Sequence, residues 1–140
     1  MAEVFNNRIK RDKNGEAMTS ISGAKDTAVG PPAQYGGSDD TLNPEEMFVA
    51  SINSCLMLVF FHFVKKKNLN VVSYNSSADG KVEKTKNGLR FTEVKVTAEV
   101  KLGDNAGREE VQQAAELAEK FCLVSNSVSC PVGYQVNIID

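Results

Sequence analysis

The sequence predicts an α+β fold in which antiparallel sheets cover two helices, and three observations carry that prediction. A long apolar run, Met47 to Val64, follows a strong helix-start signal; two β-rich runs flank an Asn-Gly pair; and a small-residued helical run precedes a last alternating strand. The chain has 140 residues and a net charge of −2. That length predicts one domain, residues 1–140, with a core of ordinary size and little chain left for a second. The near-neutral balance, with no basic block, gives no electrostatic case for nucleic acid or an acidic membrane surface. Three cysteines, Cys55, Cys122 and Cys130, are too few and too unevenly spaced for a secreted disulfide framework. Met1 to Lys10 has no apolar signal core, so a cytoplasmic location is expected.

The first stretch, Glu3 to Ser22, alternates imperfectly and is split by Asp12, Lys13, Asn14 and Gly15, a turn-forming cluster that predicts a hairpin. From Gly23 to Asp40 the breakers Gly30, Pro31, Pro32, Gly36 and Gly37 predict a loop or a short surface strand. The first helix then has a clear beginning. Asn43 can cap it, Pro44 suits the first helical position, and Glu46 stands three residues after the cap. Lys65, Lys66 and Lys67 complement the negative end of the helix dipole, and Asn68 is a poorer helix former. The helix is therefore expected over Pro44 to Lys67, about 24 residues or roughly 36 Å. Its apolar run is long enough to raise a membrane span, yet Ser51, Asn53, Ser54 and His62 interrupt it. A buried core helix, apolar all round because other elements cover every side, is the expectation.

Leu69 to Thr85 and Leu89 to Leu102 are β-rich runs around Lys86, Asn87 and Gly88, a strong hairpin signal. In the second run Phe91, Val94, Val96, Ala98 and Val100 mostly alternate with polar residues, which predicts one buried face. Gly103 to Gly107 breaks the strand. A second helix, Arg108 to about Cys122, puts Val111, Ala114, Ala115, Ala118 and Phe121 or Cys122 at helical spacing. Its small residues allow close packing. Val132, Tyr134, Val136 and Ile138 alternate in a final strand, Pro131 to Ile139.

A cysteine reacts as its thiolate, so a reactive one needs a cation, a helix N-terminus or a comparable donor to lower its pKa, whereas burial raises it. Cys55 lies twelve residues past the Asn43 cap, beyond reach of its own helix dipole. Taken alone, each cysteine reads as a small buried hydrophobe. His62, among Phe60, Phe61 and Phe63, reads as a core or helix-surface histidine. The cysteines and the single histidine lack the paired spacing of a zinc site, and no Ser-His-Asp motif, phosphate loop or dinucleotide fingerprint is present.

Two segments nonetheless form a pattern. LNPEEMFVASINSCL, Leu42 to Leu56, resembles the Asn-Pro-Glu-Glu and Ser-Cys signature of the OsmC/Ohr family of osmotically inducible and organic hydroperoxide resistance proteins. FCLVSNSV, Phe121 to Val128, is similar to its second signature, Cys-Pro-x-Ser-Asn. The resemblance implies an OsmC-like fold, an intertwined homodimer with sites at the subunit interface, and a thiol-dependent peroxidase that reduces organic hydroperoxides without a cofactor or metal. It implies Cys55 as the peroxidatic thiol, oxidised to a sulfenic acid, and Cys122 as the resolving thiol that condenses with it to a disulfide. An external dithiol, for which a lipoyl-type compound is one candidate, would reset the pair. Family sites also use a glutamate, matched by Glu45, and an arginine from the N-terminal hairpin, matched by Arg11 with Arg8 as the alternative. Such an arginine would supply the cation that Cys55 lacks.

Helix arithmetic adds a constraint. Ten residues separate Glu45 from Cys55, about 15 Å along one helix, so the two cannot touch within it. If both serve one site, a partner subunit's helix should deliver Glu45. Two features depart from the family pattern. Leu123 stands where proline commonly follows the resolving cysteine, which lets the helix run past Cys122, and Cys130 is a rival resolving thiol if Cys122 is displaced. The rival functions are a non-enzymatic protein that binds an acyl-type or other small ligand at the same apolar interface, and a purely structural stress-response dimer. The apolar surroundings of Cys55 suit an alkyl peroxide better than hydrogen peroxide alone.

Overall fold

The computed structural model describes residues 2–21, 25–103 and 107–139. They fall into two compact units, Met1–Phe48 and Val49–Asp140.

In the first unit, β1 (Asn7–Arg11) and β2 (Ala17–Ile21) form the hairpin expected around the Asp12 to Gly15 turn. The Asp12 side chain accepts the N–H groups of Asn14 and Glu16 at 2.9 and 3.0 Å, which fixes the turn locally. β3 (Thr27–Val29) pairs antiparallel with β2 and completes a three-stranded sheet. The breaker-rich segment thus holds a short strand and one 3-10 turn, Ala33–Tyr35. Gly23, within that segment, lies outside the described residues.

The helix α1 spans Pro44–Lys66. Its N-cap is the expected one: the Asn43 side-chain oxygen accepts the Glu46 N–H at 2.7 Å. Its end has a physical cause beyond the lysines. Asn68 adopts a left-handed φ of 56°. Its N–H bonds the Lys65 carbonyl at 3.1 Å, and the Leu69 N–H bonds Val64 at 3.0 Å, the paired pattern of a Schellman cap. By length and composition α1 could cross a membrane. Only one stripe of it, Ile52, Leu56, Phe60 and Val64, is buried, at a strict four-residue spacing. The expectation of a helix covered on every side is therefore corrected: within the single chain Leu58, on another face, remains 64% exposed.

The second unit is built on a mixed sheet in the order β4–β5–β6. β4 (Val71–Thr85) and β5 (Gly88–Leu102) form the long hairpin, and Gly88 closes it with a φ of 95° that a side chain would resist. Helix α2 (Arg108–Phe121) then carries the chain back, so that β6 (Val132–Ile139) runs parallel to β5. Alternation along β6 is the same in either direction; the helical crossover is what makes the parallel return feasible.

The core lies between this sheet and the two helices. Val94, Val96, Ala98 and Val100 of β5 and Tyr134 and Val136 of β6 face it. Phe60 packs its ring against Phe61, Tyr74 and Tyr134, with centroids 5.4, 5.6 and 6.4 Å apart. Full burial of such side chains stabilises the fold by roughly 1.5–3 kcal/mol each. Gly80 permits the close approach of α1 to β4, since an added Cβ would come within 2.6 Å of Val49 and 2.8 Å of Phe91. Val111, Ala114, Ala115 and Ala118 form the buried stripe of α2, as the spacing predicted.

Candidate functional site

The two helices meet in antiparallel fashion along one side of the second unit. Lys67 Nζ donates to Gln113 Oε1 at 3.3 Å, and the rings of Phe63 and Phe121 lie 5.9 Å apart. Farther along, Cys55 of α1 lies near enough to Cys122, at the end of α2, for that thiol to raise its pKa. All three cysteines are free.

The segment after α2 decides how Cys122 is presented. The helix stops at Phe121, and Cys122 adopts φ −69° and ψ 110°, an extended conformation. Leu123 therefore does not prolong the helix, and that expectation is corrected: the chain leaves the helical region at Cys122 itself. Val124 returns to a right-handed helical conformation and begins the 3-10 turn Ser125–Ser127. This turn directs a backbone N–H at sulfur. Ser125 N–H donates to Cys122 Sγ at 3.5 Å. Phe121 points outward and Cys122 inward, resolving the alternative left by helical spacing. Cys130 is half-buried in the connection to β6.

Burial pushes the Cys55 thiol above the 9.0 of an unperturbed cysteine. The Val124 amide opposes that shift, the Cys122 thiol adds to it, and the Leu123 amide opposes it again. Within one chain the net direction is upward, which favours the protonated thiol.

Two polar pairs also lie in the second unit. The Tyr74 and Tyr134 hydroxyls share a 2.7 Å hydrogen bond, in which either can be the donor, and Ser76 Oγ donates to Asn53 Oδ1 on α1 at 2.8 Å. Burial is the main cause that raises the pKa of both tyrosines. Sequence reading missed these four residues, although the alternation that put Tyr134 inside β6 is the signal that could have found one of them.

Glu45 lies in the first turn of α1, on the same helix as Cys55 and ten positions before it. Its Oε1 is buried and has no hydrogen-bond partner among the described residues. Arg8 and Arg11 belong to β1 in the first unit and are exposed. The Arg11 guanidinium lies over Gly15, where an added Cβ would come within 3.0 Å, and it lines a groove of about 960 Å³ together with Asp12, Glu16 and Met18. His62 is exposed on α1, its ring edge-on to Phe63 at 5.0 Å. Among the described residues, no group of three or more His, Cys, Asp or Glu is placed to hold a metal ion.

Two helices on a mixed sheet, with one thiol on the first helix and a neighbouring one just past the end of the second, define an α+β protein with a pair of nearby cysteines. The OsmC-like protein family model matches residues 37–137, and the chain belongs to that family. A solved OsmC-like protein of unknown function from Vibrio cholerae superposes with a TM-score of 0.83 at 23% identity, covering 97% of this chain and 99% of that one. An organic hydroperoxide resistance protein from Elizabethkingia anophelis gives 0.75 at 21% identity, covering 100% and 99%. At these identities the likeness is one of fold. An uncharacterized protein of Methanocaldococcus jannaschii is 26% identical over 117 residues, 84% of this chain, and the chain spans 59% of that relative's length.

Proposed function

We propose that the protein is a thiol-dependent peroxidase that protects against organic hydroperoxides, with Cys55 as the attacking thiol and Cys122 as its resolving partner. The observation that carries this reading is that the Cys122 thiol, at the end of α2, lies near enough to Cys55 of α1 to raise its pKa. The names of solved neighbours from Elizabethkingia anophelis and Bacillus subtilis, both organic hydroperoxide resistance proteins, support the substrate class.

In the proposed cycle the Cys55 thiolate attacks the terminal oxygen of ROOH. An S–O bond forms as the O–O bond breaks; sulfur loses two electrons, and the departing alkoxide takes up a proton to leave as ROH. Cys122 then attacks the sulfenic sulfur, its thiol proton leaves with the hydroxide as water, and a Cys55–Cys122 disulfide remains. An external dithiol, for which a lipoyl-type compound is a candidate, exchanges with that disulfide and returns both protons and both electrons.

The cation that lowers the Cys55 pKa is proposed to be Arg11, with Arg8 as the alternative, held by Glu45 across a homodimer interface. Two observations favour a shared site: the pKa of the Cys55 thiol is raised within the chain, and Glu45 Oε1 has no partner among the described residues. Exposed Leu58, one turn beyond Cys55, and Leu123, 69% exposed beside Cys122, suit an apolar alkyl group or the second chain. We further propose that the chain works as one domain and that it acts in the cytoplasm.

The test is hydroperoxide consumption with a dithiol reductant. Cys55→Ser is expected to abolish turnover, and Cys122→Ser to allow one turnover before stalling as the sulfenic acid. Equal steady-state rates for native and Cys55→Ser protein would overturn the proposal.

A further inference from the structure

We infer that Asn126 is a positioning residue for Cys122: its side chain stops α2 at Phe121, immediately before that thiol, and so fixes how the sulfur is presented. The inference rests on Cys122 being the resolving partner of Cys55 and adds the element that orients it. Asn126 holds the chain on both sides of Cys122. Its Nδ2 donates to the Lys120 carbonyl inside α2 at 2.9 Å, and its own backbone N–H donates to the Cys122 carbonyl at 3.1 Å. In a continuing helix the Lys120 carbonyl would accept the N–H of Val124, four residues on. The Asn126 side chain takes that acceptor instead, and the chain turns out of the helix at Cys122, with φ −69° and ψ 110°.

The rest of the turn locks the result. Ser125 Oγ donates to the Cys122 carbonyl at 3.3 Å and Ser127 Oγ to the Leu123 carbonyl at 2.8 Å, so the side chains on either side of Asn126 also bind the backbone they follow. Released from the helix, Cys122 is fully buried, and its Sγ accepts the Ser125 N–H at 3.5 Å. Sulfur is a weak acceptor, so that bond selects an orientation more than it adds stability. Phe121 and Leu123 are exposed on either side of the thiol, the alternation of an extended chain rather than of a helix. A proline at position 123 would impose the extended conformation on Cys122 by sterics alone. With leucine there, the stop rests on the side chains of the turn, and Asn126 is the one that reaches back into α2.

The experiment measures the Cys55–Cys122 disulfide at equilibrium with oxidised and reduced dithiothreitol, in the full chain carrying Cys130→Ser. Two protein thiols then exchange with one external disulfide, and no peroxide is involved. Asn126→Ala and Asn126→Asp both remove the side-chain donor, the second at nearly unchanged size, and both keep the backbone N–H. Each is expected to lower the equilibrium constant for the disulfide by about fivefold, the usual net worth of one hydrogen bond. Adding Leu123→Pro to Asn126→Ala is expected to restore the parent constant, since proline holds Cys122 extended without the side chain. A role confined to overall stability would lower the denaturation midpoint and leave the dithiothreitol equilibrium of the folded chain where it was. Constants indistinguishable from the parent's in both variants, or a fall that proline does not reverse, overturn the inference. A parent chain that forms no Cys55–Cys122 disulfide overturns the pairing in the proposed cycle and this inference with it. If the parent forms the disulfide but consumes no hydroperoxide, the peroxidase proposal alone falls, and the effect of Asn126 is still read from the variants.

Discussion

Tyr134 carries a hydroxyl that burial, with the Tyr74 hydroxyl next in effect, keeps neutral well above the ordinary tyrosine value of 10.0. The folded chain thus holds this proton at pH values where the unfolded chain has released it. Proton binding favours the folded side above pH 10.0, so stability is retained below that value and falls as pH rises past it. Tyr134→Phe is expected to flatten the alkaline decline of the denaturation midpoint; an unchanged slope would refute this account. Legibility at this scale followed chemistry. Cys55 and Cys122 stood out because their side chains are rare and their flanking residues form signatures, and the structure brings these two together with Cys130 elsewhere in the connection to β6. The Ser125 N–H on Cys122 Sγ was illegible, because a backbone N–H is common to every residue but proline and its direction depends on φ and ψ.

At the scale of elements, local signals that act within a few residues were read correctly. Asn43 and Pro44 fixed the start of α1, and the Lys86 to Gly88 turn fixed the β4–β5 hairpin, because capping and turn chemistry are decided by nearest neighbours. The cap has a measurable consequence. Asn43 is buried, so Asn43→Ala leaves the Glu46 N–H without its 2.7 Å acceptor, and a loss of about 1 kcal/mol is expected. Urea denaturation would show it as a lower midpoint at unchanged slope, with Asn43→Asp largely retaining the native value. A change below about 0.3 kcal/mol in the alanine variant would count against the cap as a stabilising contact. The direction of β6 was not legible: Val132, Tyr134, Val136 and Ile138 alternate identically in parallel and antiparallel strands. The answer lies in where α2 delivers the chain.

For the whole molecule, the α+β class with two helices against sheets was predictable from element order, whereas the coverage of α1 was not. An all-round apolar helix was read as one covered by its own chain, yet only the Ile52, Leu56, Phe60 and Val64 stripe is buried there. Sequence reports that a surface is apolar and leaves open whether the same chain or a second copy covers it. The unpartnered Glu45 Oε1 carries this to its kinetic end. If a second chain completes the site, activity becomes a property governed by mass action. Specific activity should then fall on dilution below the dimer's dissociation constant and recover on concentration, in step with the mass measured by sedimentation. Constant activity per chain through a measured dimer-to-monomer transition would rule that coupling out. On the proposed peroxidase reading with a shared site, a cell's peroxide-clearing capacity would be a steeper function of protein abundance than simple proportion, approaching second order when the chains are scarce.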